Sequence, residues 1–546
     1  MIIDADDKGR ILIKCSPVYA GSVKRMPGAK WSPAKKIWYS KKSRAGCDYA
    51  SRVLAPMARE ITPAARALIE PKPIPESRPF LPGYRCKTMP YEHQERGTAH
   101  IYGKPATAVF AEPGTGKTKM YIDASSAMYI AGDIEQVLVF TPVSVRKSWS
   151  NQFAIHCPIP HKVHVLDTTN PLSPKSSSVL DVLVVGIESL SHKTSAAYPM
   201  CIEYVLRGKT ACVVDESHLV KTYNSTRTER VTELAHRCAS RCVMTGTPVA
   251  NSLVDLYAQF RVLDPDIIGY PDIYSFLDRY AVFGGYENRK IVGYENSEEL
   301  MKAVEPYTFR ARKQDCLDLP PKVYVSRETE MSKQQKSIYG KLKREKRVSN
   351  LDLTSSLQLA LRLHQVAGGF IPIMSPDGVL ERMEQIDSTP PKIRELMDLV
   401  AGTDESAIVW CAYRHEIAAV VSALVNEYGE GSTVQIHGDV KEEDRNRSIE
   451  LMQSKRARFL VGTASSGGVG ITVTAATMVV YYSNTFKYTE RYQSEDRAHR
   501  VGQTRSVTIV DLVCKDSVDS VVIDALQSKN DLATYVAQGH TDVLEW

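Results

Sequence analysis

A glycine-bearing turn, Ala111-Glu112-Pro113-Gly114-Thr115-Gly116-Lys117-Thr118, lies between an apolar β-type run at residues 107–110 and a helix-like run at residues 117–131. This is the strand-loop-helix setting that a phosphate-binding loop requires. Gly114 and Gly116 let backbone N–H groups close around phosphate oxygens at a helix N-terminus, where the dipole favours anions. Pro113 and Thr115 complete the turn, Lys117 is placed to neutralise β- and γ-phosphates, and Thr118 offers its hydroxyl to Mg²⁺. Ala111 stands at the first position of the usual G-x-x-x-x-G-K-[ST] spacing. Further along, the apolar run at residues 211–214 delivers Asp215-Glu216-Ser217-His218 to a strand's C-terminal end, where open α/β sheets bind ligands. Asp215 is expected to hold Mg²⁺ and Glu216 to orient or deprotonate the attacking water, the two acidic tasks of nucleotide hydrolysis.

A second chemical cluster is Gln493-Ser494-Glu495-Asp496-Arg497-Ala498-His499-Arg500-Val501-Gly502-Gln503. Arg497 and Arg500 are three apart, so the spacing predicts one helix face bearing both. Arginines delivered from one lobe to a γ-phosphate held by another act as arginine fingers, worth roughly 10³–10⁵ in rate. A third cluster is Lys30-Trp31-Ser32-Pro33-Ala34-Lys35-Lys36-Ile37-Trp38-Tyr39. Its cations suit phosphate and its aromatics suit stacking on unpaired bases, while Trp31 and Trp38 equally suit the core of a small domain with a basic face.

The elements that must position these residues alternate as in a parallel α/β sheet. Strands are expected at residues 136–141, 181–186, 211–215 and 241–245, and again at 407–411, 433–436, 459–463, 478–482 and 507–512. Residues 263–361 interrupt that rhythm with long polar helical stretches. The expected architecture is α/β, two RecA-like parallel-sheet lobes with a largely helical insertion between them and a small N-terminal α+β domain. Its boundaries are a basic N-terminal domain at 1–70, a Pro-rich linker at 71–83, a nucleotide-binding lobe at 84–262, the insertion at 263–390 and a second lobe at 391–546.

Bulk composition narrows the class. The net charge is +6, yet residues 1–60 hold thirteen Lys and Arg against five Asp and Glu, so the basic excess is concentrated there. Eleven cysteines are scattered without a C-x-x-C pair, which disfavours a zinc site or a disulfide framework and fits a reducing compartment. No run of about eighteen apolar residues occurs, and acidic Asp4, Asp6 and Asp7 stand where a signal peptide is basic. An intracellular, cytoplasmic protein without membrane contact, in a bacterial or phage-infected cell, is expected, and a monomer.

Three stretches together, Arg497-Ala498-His499-Arg500-Val501-Gly502-Gln503, Asp215-Glu216-Ser217-His218 and Met244-Thr245-Gly246-Thr247-Pro248, resemble the motor of Snf2-family enzymes in helicase superfamily 2. The resemblance covers residues 84–530 and implies ATP as the nucleotide, with Gln94 as the adenine-reading glutamine. Phe140-Thr141-Pro142 with Trp149 resembles motif Ia, residues 184–190 resemble motif Ib, and Arg310-Ala311-Arg312-Lys313 with Leu319-Pro320-Pro321-Lys322 resembles the segment linking the lobes. Ile436-His437-Gly438 and the stretch from Thr463 through Gly470 to Thr472 resemble later motifs, the latter motif V. By that resemblance Thr141, Pro142, Thr245, Gly246, Thr247, His437, Gly438 and Thr463 contact DNA or couple it to the nucleotide, and Gly470 lies at the nucleotide site. The family usually has Asp-Glu-Met or Asp-Glu-Thr where this chain has Ala111-Glu112-Pro113. Met26-Pro27-Gly28-Ala29-Lys30-Trp31 with Trp38 also resembles the HARP domain of annealing helicases, which implies that Lys30, Trp31 and Trp38 engage forked or branched DNA.

The resemblance implies an ATP-driven double-strand DNA translocase that reanneals, regresses or branch-migrates DNA through sequence-independent backbone contacts. A strand-separating helicase, a nucleotide-gated DNA-binding module and the motor of a restriction or defence complex are the alternatives.

Overall fold

The computed structural model describes residues 1–7, 9–40, 44–69, 77–173, 178–246, 253–270, 272–284, 290–317, 319–347, 353–374, 380–467 and 471–528. The chain divides into two compact units, one of Met1–Glu112 and Gly116–Arg312, the other entered at Lys313 and also taking in Pro113–Thr115.

The first unit begins with a small sheet of β1 (Ile2–Ala5), β2 (Ile11–Lys14), β3 (Ala29–Ser32), β4 (Ile37–Ser40) and β5 (Glu60–Ile61), in the order β3-β4-β2-β1-β5. Alternation in β2 buries Ile11 and Ile13 against Ile3, Val23, Leu54 and Ile69, with helices Pro17–Lys24 and Pro63–Ile69 supplying the other side. Trp31 and Trp38 are cross-strand partners with ring centroids 5.5 Å apart. Trp38 packs against this core while Trp31 remains 46% exposed. Part of the expected Pro-rich spacer, residues 71–76, lies outside the described residues.

Next comes a seven-stranded sheet of β6 (Ala106–Ala111), β7 (Gln136–Thr141), β8 (His161–Val165), β9 (Leu180–Gly186), β10 (Thr210–Asp215), β11 (Ser240–Thr245) and, beyond a hairpin of β12 (Ala281–Gly284) and β13 (Lys290–Tyr294), β14 (Thr308–Ala311). The order is β14-β6-β11-β10-β7-β9-β8, and every pairing is parallel. Strands β6, β7, β9 and β10 are buried along their whole length, which explains their continuous apolar sequences rather than alternating ones. Helices Lys117–Ile130, Arg146–His156, Ala197–Leu206 and Thr226–His236 supply the crossovers.

The second unit is built on β15 (Lys322–Thr329), a hairpin of β16 (Phe370–Met374) and β17 (Leu380–Gln385), then β18 (Ala407–Trp410), β19 (Thr433–Ile436), β20 (Phe459–Gly462), β21 (Met478–Tyr481) and β22 (Val507–Cys514). Its six-stranded sheet runs β15-β22-β21-β18-β20-β19, again all parallel. The segment between the two alternating regions carries helices Ser297–Val304, Lys333–Arg347 and Leu353–Ala367, and it also lends an edge strand to each sheet, β14 to the first and β15 to the second. Among the described residues no helix is long and apolar enough to cross a membrane.

Strand β20 passes close to its neighbour: a Cβ added at Gly462 would lie 2.2 Å from the Ile436 carbonyl oxygen and 3.3 Å from Trp410. Backbone cannot retreat from such a clash without breaking the β19–β20 pairing. Gly462→Ala should therefore lower unfolding free energy by about 2 kcal/mol or more, read as a lower denaturation midpoint in urea; an unchanged midpoint would contradict this packing.

Candidate functional site

Four neighbouring strands of the first sheet, β6, β11, β10 and β7, end together, and each delivers a candidate residue at its C-terminal end. Register pairs Thr245 with Phe110, Asp215 with Met244 and Val214 with Phe140, so the phosphate-type loop, Thr245, Asp215 and Thr141 emerge along one edge. Ligands bind outside this edge in open parallel sheets.

Gly114 and Gly116 adopt φ of +84° and +90°, and Gly116 caps the N-terminus of helix Lys117–Ile130. A helix N-terminus at the end of such a turn is suited to an anion, because N–H groups and the helix dipole favour negative charge there. Lys117 Nζ donates to the Ala111 carbonyl at 2.8 Å, a neutral acceptor at the base of the same loop. Gln94, on helix Glu92–Gly103, accepts from the Tyr91 N–H at 3.2 Å and lies directly against the loop. A Cβ at Gly116 would come within 2.3 Å of its Nε2. Glu112 donates its N–H to the Ala311 carbonyl at 3.0 Å, which ties the loop's start to β14.

Asp215 is buried and accepts from the Trp149 indole at 2.9 Å, the Thr141 hydroxyl at 3.3 Å and the Glu216 N–H at 3.0 Å. Desolvation first, and the neighbouring Glu216 charge second, push its carboxyl up to about 6, with Trp149 and Lys117 opposing. Glu216 sits at φ +50°, ψ +53°, a left-handed conformation costly for a residue with a Cβ. Its carboxylate lies 3.3 Å from His218 Nδ1 and accepts from the Thr245 hydroxyl at 3.4 Å, and Thr245 lies 3.3 Å from His218 Nδ1. The acid at the end of β10 is thus connected to the end of β11 through a hydroxyl and an imidazole.

The donor set fits the expected metal. The Asp215 carboxylate and the Thr118 hydroxyl are hard oxygen donors, and Mg²⁺ is ordinarily held by one or two carboxylates together with substrate phosphates. Among the described residues no group of three His, Cys, Asp or Glu forms a separate metal cage.

In the second unit the helix expected to carry Arg497 and Arg500 stops before them. It spans Tyr488–Glu495, and the chain turns at Asp496. The cause is tertiary: Glu495 and Asp496 are pinned by buried ion pairs, and the Arg497 carbonyl accepts from the Val473 N–H at 2.9 Å instead of continuing the helix. The two arginines still converge, because both Nη1 atoms donate to the Ile471 carbonyl at 3.2 Å, and Arg500 Nη1 also reaches the Thr472 hydroxyl at 2.7 Å. His437 and Thr463 stand at the ends of adjacent strands β19 and β20, linked by the Thr463 N–H to the Ile436 carbonyl at 3.2 Å. Gly438 is exposed beside His437.

Other expectations sort by exposure. Thr141 is fully buried and spends its hydroxyl on Asp215, so it is not placed to touch DNA itself; Pro142 beside it is buried too. Gly246 is half-buried next to Thr245, and Lys30 and Trp31 are exposed. Thr247 and Gly470 lie outside the described residues. Sequence reasoning gave no role to His218 or to the indole of Trp149, although both sit within the stretches it singled out.

The residues 93–367 match the model of the SNF2-related domain, half of the chain, and residues 391–502 match the Helicase conserved C-terminal domain. The chain belongs to the SNF2-related family. The two matched domains of this SNF2 chain are those of a helicase-type, DNA-dependent ATPase, with a nucleotide as substrate. The SNF2 chain is 25% identical to a Caenorhabditis elegans protein named SWI/SNF-related matrix-associated actin-dependent regulator of chromatin subfamily A-like protein 1 homolog, over 97% of this chain and 75% of that protein. It is 24% identical to the Mus musculus Chromodomain-helicase-DNA-binding protein 1-like over 78% of this chain, and 25% identical to the Arabidopsis thaliana ISWI chromatin-remodeling complex ATPase CHR11 over 78%. It spans less than half the length of these two, 47% and 40%. Among solved structures, the Sulfolobus solfataricus SWI2/SNF2 ATPase core in complex with dsDNA is 18% identical, covers 86% of this chain and 97% of its own, and gives a TM-score of 0.38.

The raised Asp215 pKa has a sign that can be checked. A carboxyl that binds its proton more tightly when folded than when unfolded makes the protein lose stability as pH rises from the unfolded value of about 4 through about 6. Asp215→Asn removes that charge. In nucleotide-free and Mg²⁺-free protein, the Tm of Asp215→Asn relative to wild type should climb as pH is raised from 4.5 to 7.5; a constant difference would show that Asp215 titrates normally.

Proposed function

We propose that this SNF2 chain is an ATP-driven translocase on duplex DNA that remodels forked or branched DNA by reannealing, regression or branch migration. The observation that carries the reading is the division of charge between the units. The first has a helix N-terminus, Lys117 and the acids Asp215 and Glu216 on one sheet edge, and the second has Arg497 and Arg500 gathered on a single carbonyl.

In this reading the loop from Pro113 to Thr118 cradles the triphosphate, Lys117 exchanges the Ala111 carbonyl for phosphate oxygens, and Gln94 reads the adenine. Thr118 and Asp215 would hold Mg²⁺, which when bound neutralises developing charge on the phosphates. Glu216 takes a proton from the attacking water, oriented for that task by its left-handed backbone and by Thr245 and His218. Trp149 and Thr141 fix the Asp215 carboxylate, so it spends no reorganisation energy during the reaction. Arg497 and Arg500 stabilise the charge that accumulates on the γ-phosphoryl group.

Several features support DNA as the track. A cavity of about 190 Å³ at the ends of β18, β20 and β21 is lined by Tyr413, Thr463, Ser465, Ser483, Lys487 and Glu490, with Lys487 paired to Glu490 at 2.8 Å. Its hydroxyls suit phosphate oxygens and carry no base readout, as movement along any sequence demands, and Lys487 would exchange Glu490 for phosphate on binding. Preference for forks is assigned to the N-terminal domain, where exposed Trp31 with Lys30, Lys35 and Lys36 offers a stacking surface beside cations. The C. elegans relative matches 97% of this chain, so its similarity takes in this domain as well as the motor.

Glu216→Gln should reduce DNA-stimulated ATP turnover by at least a hundredfold while leaving nucleotide binding and Tm near wild type; equal turnover would remove the catalytic assignment. ATPase activation by single-stranded, duplex, forked and four-way DNA is expected to be greatest for the branched forms, and fork regression to be seen without unwinding of a simple duplex. The opposite pair of results would make it a strand-separating helicase. Deletion of residues 1–70 should reduce the ratio of fork to duplex stimulation more than basal turnover, and an unchanged ratio would make that domain structural.

A further inference from the structure

The chain enters the second unit at Lys313, and three of the residues that follow its entry, Lys313, Pro320 and Lys322, are fastened to the loop that carries the two arginines. Lys313 Nζ pairs with Asp496 Oδ1 at 2.6 Å and donates to the His499 carbonyl at 2.8 Å. The Pro320 carbonyl lies 2.7 Å from His499 Nε2. Lys322 Nζ completes the set, 3.0 Å from Glu495 and 3.2 Å from Asp496. Lys313, Glu495, Asp496, Arg497 and His499 are all buried, so these pairs are shielded from water and salt.

These contacts replace what a helix would have supplied. Residues 496–500 are out of the helix, and the arginines are held on their own lobe chiefly through Ile471 and Val473. With the helix ended at Glu495 the His499 carbonyl has no helical partner, and it accepts from Lys313 instead. Desolvation lowers the Lys313 ammonium to about 8 despite the Asp496 charge, which marks a cation placed for position rather than left in water.

We infer that Lys313 is a positioning residue for ATP hydrolysis: by clamping Asp496 and the His499 carbonyl it sets the placement of Arg497 and Arg500, so that the point where the chain enters the second unit governs the arginines. The inference rests on the reading of those arginines as the γ-phosphate pair. A positioning role of this kind acts on kcat, because misplaced arginines cost transition-state stabilisation and leave the cradle's hold on ground-state nucleotide intact.

The test uses the full chain with saturating duplex or forked DNA. Lys313→Met should lower kcat at least tenfold with KM for ATP within about twofold of wild type, and Lys313→Arg should recover most of the loss. The triple variant Lys313→Met/Arg497→Ala/Arg500→Ala should be no slower than Arg497→Ala/Arg500→Ala, since Lys313 acts through those two guanidinium groups. Should Lys313→Met fail to fold, as circular dichroism and Tm will show, the nearly isosteric Asp496→Asn takes its place with the same expected pattern. A kcat within twofold of wild type for the folded variant, or a further loss in the triple variant, overturns the inference while the arginine assignment stands. Wild-type turnover in Arg497→Ala and Arg500→Ala would instead sink the assignment itself.

Discussion

The chemistry of the first unit depends on strands that end level. Parallel pairing of β6, β11, β10 and β7 sets the phosphate-type loop, Thr245, Asp215 and Thr141 side by side without any side chain having to reach. A shift of one residue in any of these strands would turn its terminal side chain to the other face. The buried apolar runs of those strands prevent that shift, because every residue of β6, β7 and β10 is packed on both sides. Hydrophobic patterning therefore sets the spacing of acids that carry none of the burial energy.

The second unit uses a different device. Its sheet is as regular, but the functional loop is held by charge: Arg491 pairs with Glu495 and Asp511 and lies over the Tyr481 ring, while Lys322 and Lys313 take up Glu495 and Asp496. Buried ion pairs return little net stability once desolvation is counted, but removing one partner is costly. Such a network favours a single arrangement of the loop over many, a useful property where two guanidinium groups have to be presented together.

Much of this was legible from the chain. Glycines before a lysine and threonine, and acids after an apolar run, are local signals, and the strands that carry them match expectation to within a residue or two. What stayed hidden is non-local. Strand β14 is four residues long, and β15 is mostly exposed, so neither carries a buried-strand pattern; each is a strand only because a sheet edge accepts it. The end of the helix at Glu495 could not be read from residues 488–500, since the lysines that stop it lie more than 170 positions away. Thr141, expected by resemblance to contact DNA or couple it to the nucleotide, is a buried support for Asp215. Local sequence identifies the functional groups, whereas their supporting partners come from distant segments.

The left-handed backbone at Glu216 bears on how this chain can vary. Only glycine, and to a lesser degree asparagine and aspartate, occupies that region at little penalty, so the substitutions that best relieve the conformation remove or shorten the side chain that bears the carboxylate. Glycine here would thus give a sturdier chain without the carboxylate, so at this one position stability and side-chain chemistry pull in opposite directions.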